Sequence, residues 1–145
     1  LEVLAQIKPS PVSEDAIIAL TERLVASATT DEQVSYWANL AAWQLRTQHF
    51  ANAERTLNAA IKLDAPRSSS QQRAGLLRNL GVALAQQGKL EQALQAMLQA
   101  DALMRELGLP VDAALVANLA GLYVYLEDWP HAREYAQRQK PRREP

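Results

Sequence analysis

Residues 77–100 read LRNLGVALAQQGKLEQALQAMLQA, and this stretch decides the fold. Apolar side chains recur at helical spacing in its first part, at Leu77, Leu80 and Leu84. Gly88 then interrupts the pattern and suits the left-handed backbone that commonly ends a helix. A second apolar pattern with helical spacing follows it, so the stretch predicts two helices joined by a tight turn.

Small residues in the same stretch predict where the two helices approach each other closely. We expect Gly81 and Ala93 to face each other across the pair, because larger side chains there would push the helices apart. The large apolar residues of this stretch and of a later one should form the core. The predicted core residues are Leu80, Leu84, Leu94, Met97, Leu119 and Tyr123.

A short string, Asn-Leu followed by Ala or Gly, occurs three times along the chain. It begins at Asn39, Asn79 and Asn118, so the period is 40 (79−39) and then 39 (118−79) residues. In every case an Ala lies 14 residues after the Asn (53−39, 93−79, 132−118), inside the next helical stretch. Three equal offsets indicate an internal repeat, which is typical of arrays of stacked helix pairs.

This pattern resembles the tetratricopeptide repeat. The middle unit fits it in register with Leu77, Leu80, Gly81, Leu84, Gly88, Ala93, Met97 and Ala100. The first unit departs from it at Gln44 and Gln48, where a large apolar residue and the turn glycine are expected, and the third has Glu127 at the turn. The long period is similar to that of kinesin light chains and bacterial peptide-sensing regulators.

The resemblance implies an all-α fold, a right-handed superhelical array of antiparallel helix pairs forming one domain over 1–145. An additional helix or half repeat should occupy 13–33, capped by Ser13, with Ile17, Leu20 and Leu24 as its apolar stripe. Three repeats and a polar tail should follow. Their predicted ranges are 34–66, 70–110, 111–140 and, for the tail, 141–145.

Composition excludes several functions. The net charge of −1 lacks the basic excess of nucleic-acid-binding proteins, and without cysteine there is no thiolate nucleophile or cysteine zinc site. We find no metal-ligand spacing, nucleotide-binding loop or catalytic motif, and we predict no enzyme activity, no metal and no cofactor. No apolar run approaches the roughly 20 residues of a membrane helix.

The chain starts at Leu1 rather than Met, which we interpret as a fragment or a processed form. The sequence does not fix the compartment. We favour the cytoplasm, and the periplasm stays open if a signal was removed upstream.

The resemblance also implies where a partner binds, because the first helix of each pair lines the concave face of such arrays. An Asn amide can both donate to and accept from a peptide backbone, so Asn39, Asn79 and Asn118 predict a ladder of contacts along that groove. Arg78 could add a pair with a carboxylate, or remain solvated. Four further residues are predicted on the same face, one turn away: Arg46, Gln86, Leu122 and Tyr125.

The leading hypothesis is a module that binds a protein or an extended peptide in this groove. One alternative is a structural or self-association module, in which the aromatic residues Tyr36, Trp37 and Trp43 make a homodimer contact. Another alternative is the sensory or regulatory region of a larger bacterial signalling protein.

Overall fold

The structure, a computed structural model, describes residues 12–64 and 71–139, and within those ranges all regular secondary structure is helical. It contains seven α-helices there, which we number in chain order. They are α1 Glu14–Val25, α2 Thr30–Arg46, α3 Phe50–Asp64, α4 Gln71–Gln86, α5 Leu90–Glu106, α6 Ala113–Tyr125 and α7 Trp129–Arg138. The predicted tail at 141–145 lies outside the described residues.

Several of these helices begin at a side chain that caps them. Ser13 caps α1 as predicted, accepting a hydrogen bond from the amide of Ala16. Thr29 and Glu32 form a reciprocal capping box, which starts α2 at Thr30 rather than at 34. Asp112 and Asp128 cap α6 and α7, and each side chain accepts a hydrogen bond from a backbone amide of the first turn.

The helices form the antiparallel pairs α2–α3, α4–α5 and α6–α7, and each pair has a turn end and an opposite open end. The turn residues Gln48, Gly88 and Glu127 all have positive φ, at 63°, 78° and 58°. The first and third turns therefore keep the left-handed geometry although they lack the glycine that favours it. The predicted all-α fold of stacked helix pairs is confirmed.

The predicted core is confirmed in part. Leu84, Met97, Leu119 and Tyr123 are buried, and they belong to one apolar cluster built mainly from α4 to α7. A methyl group added to Gly81 would overlap Met97 and lie 3.3 Å from the carbonyl oxygen of Ala93, so the predicted close approach is present.

Two of the predicted core residues are only half-buried, and for them the prediction was wrong. Leu80 lies at the seam between the α4–α7 cluster and a second cluster built from α2, α3 and α4, and it packs on both. Leu94 packs on the edge of the first cluster. Helical periodicity identifies a buried face, and it does not separate the centre of that face from its edges.

The helix α1 packs on α2 differently from the other helices. Only Thr21 of α1 is buried, whereas Leu20 and Leu24 of its predicted apolar stripe are 53% and 43% exposed. Most of that stripe therefore points away from the array, and this prediction needs correction. The attachment of α1 is instead largely polar.

A buried polar cluster at the turn end of α2–α3 makes this attachment. The Gln44 side chain, 1% exposed, donates to Glu14 Oε1 at 3.0 Å, and Asn52 donates to the same oxygen at 2.7 Å. His49 Nε2 lies 3.4 Å from Glu14 Oε2. Gln44 departs from the repeat pattern, and the carboxylate of α1 is the physical reason, because a leucine could not pair with it.

Candidate binding groove

The first helices of two successive pairs, α4 and α6, form the two walls of a cavity of about 530 Å³. The side chains at its base come from the intervening helix α5. The lining is mostly apolar and contains no acidic or basic residue. Its residues are Val82, Ala85, Gln86, Gly88, Leu90, Met97, Ala117, Asn118, Gly121, Leu122 and Tyr125.

The cavity exists because α6 presents small residues toward α4. Ala117 and Gly121 lie on adjacent turns of α6, and a Cβ added at Gly121 would meet nothing within 4 Å. Met97 at the base is held in place by its close packing on Gly81, described above. Small residues on one wall and a fixed residue at the base leave space for a side chain from outside.

Four of the eight predicted site residues line this cavity. They are Gln86, Asn118, Leu122 and Tyr125. Leu122 is 5% exposed and belongs to the core, so it supplies an apolar wall. Tyr125 is 78% exposed, and Gln86 and Asn118 are exposed as well. The arrangement therefore combines an apolar interior with amide and phenol groups at the rim, which can pair with a polypeptide backbone.

The other four predicted residues lie outside the cavity. Asn39 and Arg46 are exposed on α2, and Asn79 is half-buried on α4. The Asn ladder along the groove stays a prediction, because Asn118 lines this cavity and Asn39 and Asn79 do not. Arg78 is engaged within the chain: its Nη1 donates to Asp112 Oδ2 at 2.8 Å.

The Arg78–Asp112 pair fixes the loop before α6 against α4. The pKa of the Asp112 carboxyl is lowered, although burial alone would raise it. The hydrogen bond from Arg78 and the backbone amides of Leu115 and Ala114 outweigh burial, because they favour the charged form. Arg78 thus pairs with a carboxylate of the chain itself, which neither sequence interpretation, a partner's carboxylate or a solvated side chain, had included.

The sequence analysis did not predict Leu90, Ala117 or Gly121 as site residues. It also did not predict that Met97 lies at the bottom of a cavity. A signal for two of them was present. Ala117 and Gly121 flank Asn118 on the same face of α6, where the equivalent residues of α4 are Arg78 and Val82. Smaller residues at equivalent repeat positions indicate local space, and this comparison between repeats could have located the cavity.

Both histidines make contacts within the chain, His49 just before α3 and His131 in the first turn of α7. His49 Nδ1 lies 2.7 Å from Thr47 Oγ1, and its ring stacks on Trp43. His131 lies 2.8 Å from Asp128 Oδ2 and stacks on Tyr123; its hydrogen bond lowers the pKa of Asp128. Among residues 12–64 and 71–139, no group of three or more His, Asp or Glu side chains could hold a metal ion.

No helix in the described part of the chain is both long enough and apolar enough to cross a membrane.

Antiparallel helix pairs, left-handed turns and a close glycine–alanine approach together define the fold of the tetratricopeptide repeat. Two solved structures share it. The TPR domain of Arabidopsis FLU has 19% sequence identity and a TM-score of 0.71 over 77% of this chain and 94% of that chain. BtubC (BKLC) from P. vanneervenii has 21% identity and a TM-score of 0.75 over 87% of this chain, which spans 52% of BtubC.

No protein-family model matches the chain, and no curated protein does. At identities near 20% the structural likeness shows the fold alone. The predicted long-period subtype stays a prediction.

Proposed function

We propose that this chain is a protein-interaction module that binds a polypeptide segment in the groove formed by its first helices. The cavity between α4 and α6 carries the proposal, because it joins an apolar interior to exposed amide and phenol groups. Apolar pockets with a few convergent polar groups are the usual form of a binding site. The similarity to the TPR domain of FLU supports an interaction module of this type.

We propose no catalytic role. Helical repeat folds of this kind are typically non-enzymatic scaffolds. No carboxylate or histidine lines the cavity, and the phenol of Tyr125 at its rim has no acidic or basic partner within that lining.

Selection of short random peptides displayed on phage, followed by fluorescence polarisation, tests the proposal. Gly121→Gln should fill the cavity and weaken peptide binding by at least about 1.4 kcal/mol, or tenfold. The folded state should tolerate this change, because the added side chain meets open space and a helix-interior glycine is replaced. Ala102→Gln is the matched control, since Ala102 is exposed on the second helix α5. Equal affinities of the two variants would contradict the proposal.

The Asn ladder is tested by Asn39→Ala, Asn79→Ala and Asn118→Ala. Asn39→Ala and Asn118→Ala should keep a nearly unchanged melting temperature, because both side chains are exposed. Asn79→Ala should lower it only slightly, because Asn79 is half-buried and its hydrogen bond from Arg78 is long, at 3.5 Å. Loss of an amide that pairs with a buried backbone group should weaken binding by about 1–3 kcal/mol. Equal losses for all three would support a ladder, whereas a loss for Asn118→Ala alone would confine the site to the cavity.

Self-association is the second candidate, and one observation favours it. Leu20 and Leu24 of α1 are more than two-fifths exposed and lie one turn apart. The aromatic residues first suggested for a homodimer contact, Tyr36, Trp37 and Trp43, are half-buried instead. Light scattering of the wild type and of Leu20→Ser tests this candidate, because a dimer formed through α1 should dissociate in the variant.

In the third candidate function, this chain is the sensory or regulatory region of a larger bacterial signalling protein, and its groove is the ligand-binding site of that protein. The full-length sequence tests it, since an attached output domain would be visible there.

A further inference from the structure

The charges around the groove indicate what kind of segment it would take. The cavity itself is lined without any charged residue, so a charged side chain entering it would lose water and gain no counter-charge. An uncharged apolar side chain is therefore the chemistry that fits the cavity.

The two arginines predicted for the groove, Arg46 and Arg78, differ in whether the chain itself supplies a carboxylate partner. Arg78 is paired with Asp112 at 2.8 Å, so its charge is already matched within the chain. Arg46, at the end of α2, is exposed, and it forms none of the ion pairs found among residues 12–64 and 71–139. Arg46 is therefore the basic group of the groove that remains available to a carboxylate from outside.

The repeat fixes the position of Arg46 relative to the cavity. Arg46, Gln86 and Tyr125 each lie seven residues after the repeated Asn (46−39, 86−79, 125−118), so they end successive first helices in a row. Gln86 and Tyr125 line the cavity.

Ala41 of α2 and Ala83 of α4 belong to one apolar cluster, against which Leu45 also packs. Gln72 donates to Ser35 at 3.1 Å near the starts of the two helices. Neighbouring packed helices are about 8–10 Å apart, which an extended chain crosses in about three residues.

We propose that the groove recognises an extended segment with two features: an uncharged apolar side chain that enters the α4–α6 cavity, and a carboxylate about three residues away that pairs with Arg46. This inference rests on the proposed function, and it adds the chemistry of the partner. A segment of this kind crosses the ends of the three first helices rather than running along one of them.

Selection of phage-displayed random peptides on the wild-type chain and on Arg46→Glu tests the proposal. Wild-type selections should be enriched in peptides with Leu, Ile, Met or Phe and with Asp or Glu about two to four residues away. Selections on Arg46→Glu should keep the apolar residue and exchange the acidic residue for Lys or Arg. Arg133→Glu, an exposed charge reversal on α7, is the matched control and should leave the wild-type preference unchanged.

Fluorescence polarisation with one enriched peptide gives the magnitude. Arg46→Glu should weaken its binding about threefold to tenfold, since a solvent-exposed ion pair contributes little and the reversal adds repulsion. Replacing the acidic residue of the peptide by Lys should restore binding to Arg46→Glu and weaken binding to the wild type. This reciprocal exchange is not expected from a general loss of structure.

The alternative outcomes are distinguishable. Peptides that lose binding in Gly121→Gln, yet show no acidic preference and no response to Arg46→Glu, would overturn this inference and leave the proposed function standing. Peptides that bind Gly121→Gln as tightly as the wild type would overturn both.

Discussion

The two junctions between successive helix pairs occupy equivalent repeat positions and differ in their polar links at the turn end. At the first junction, α3 against α4–α5, Glu54 accepts hydrogen bonds from Lys89 at 2.8 Å and from Gln87 at 3.2 Å, close to the turn end. At the second junction the residue equivalent to Glu54 is Leu94, and the residue equivalent to Lys89 is Asp128, so this polar link is absent.

The open ends of both junctions carry polar links. At the first, Gln72 donates to Ser35 at 3.1 Å and Arg73 donates to the carbonyl oxygen of Ile61 at 3.3 Å.

At the second, Arg138 donates two hydrogen bonds of 3.0 Å to the Asp101 carboxylate, and Arg78 pairs with Asp112 at the start of α6. The cavity occupies the turn end that these links leave free. The comparison teaches that equivalent repeat positions can carry a polar link at one turn end and leave the other without one, and the cavity lies at the second.

The largest expected effects come from the apolar contacts that both junctions share. Leu76 and Leu115 both lie three residues before the repeated Asn, and they are 2% and 0% exposed. Leu76→Ala and Leu115→Ala should each lower the unfolding free energy by about 2–5 kcal/mol, because each leaves a cavity. Urea denaturation measures this cost. Leu20→Ala, at an exposed position, is the control, and an equal cost for it would contradict the assigned packing.

Removing the polar links should lower the unfolding free energy by a smaller amount, and this amount should differ between the two junctions. Arg138→Met should cost about 1–3 kcal/mol, because the largely buried Asp101 loses two charge-assisted hydrogen bonds. Lys89→Met should cost less than about 1 kcal/mol, since Lys89 is 43% exposed and Gln87 still pairs with Glu54. Thermal unfolding at low and high salt measures both. Equal costs would remove the distinction between the junctions.

Substitutions in the turns of the second and third helix pairs should change the stability in opposite directions. Gly88→Ala should cost about 1–2 kcal/mol, because Gly88 has φ of 78° and a side chain disfavours that backbone. Glu127→Gly should stabilise the protein by up to about 1 kcal/mol, because it relieves the same strain at φ of 58°. Chemical denaturation of both variants tests the prediction. A loss of stability in Glu127→Gly would show that the Glu127 side chain contributes more than its backbone strain costs.

The smallest effect concerns acid stability at the second junction. The folded-state pKa of Asp112 is lowered, so its charged form stabilises the fold above the unfolded value of about 3.9 and this contribution is lost as pH falls through the folded value. Asp112→Asn, which keeps a capping side chain, should cost less than about 1 kcal/mol at pH 7, because solvent screens the pair.

Unfolding measured as a function of pH checks this prediction. The difference between wild type and Asp112→Asn should stay constant from about pH 7 to pH 5 and shrink below about pH 4. In an Arg78→Met background the difference should be smaller throughout. A difference that grows on acidification would have the wrong sign and would contradict the prediction.

Local and periodic features of the structure could be predicted from the sequence. Gly88 identified a turn, Ser13 a cap, and the Gly81–Ala93 approach followed from spacing inside one helix pair, because these features depend on residues close together in the chain. Apolar periodicity placed Leu84 and Tyr123 correctly.

Features that depend on contacts between distant residues could not be predicted. Arg78 and Asp112 are 34 residues apart and Gln44 and Glu14 are 30 apart, and no local pattern joins either pair. The cavity depends on the position of α6 against α4 and α5. The sequence therefore predicted several of its rim residues and not its volume or its base.

The polar link at the turn end of the first junction has a mechanical consequence. Opening the turn end of the first junction requires the Lys89–Glu54 pair to break. The same opening at the second junction lets α6–α7 pivot about the Arg138–Asp101 pair and breaks no comparable link among residues 71–139. The stiffness of the array is therefore uneven along its length, and a force that bends the protein should deform it first at the cavity.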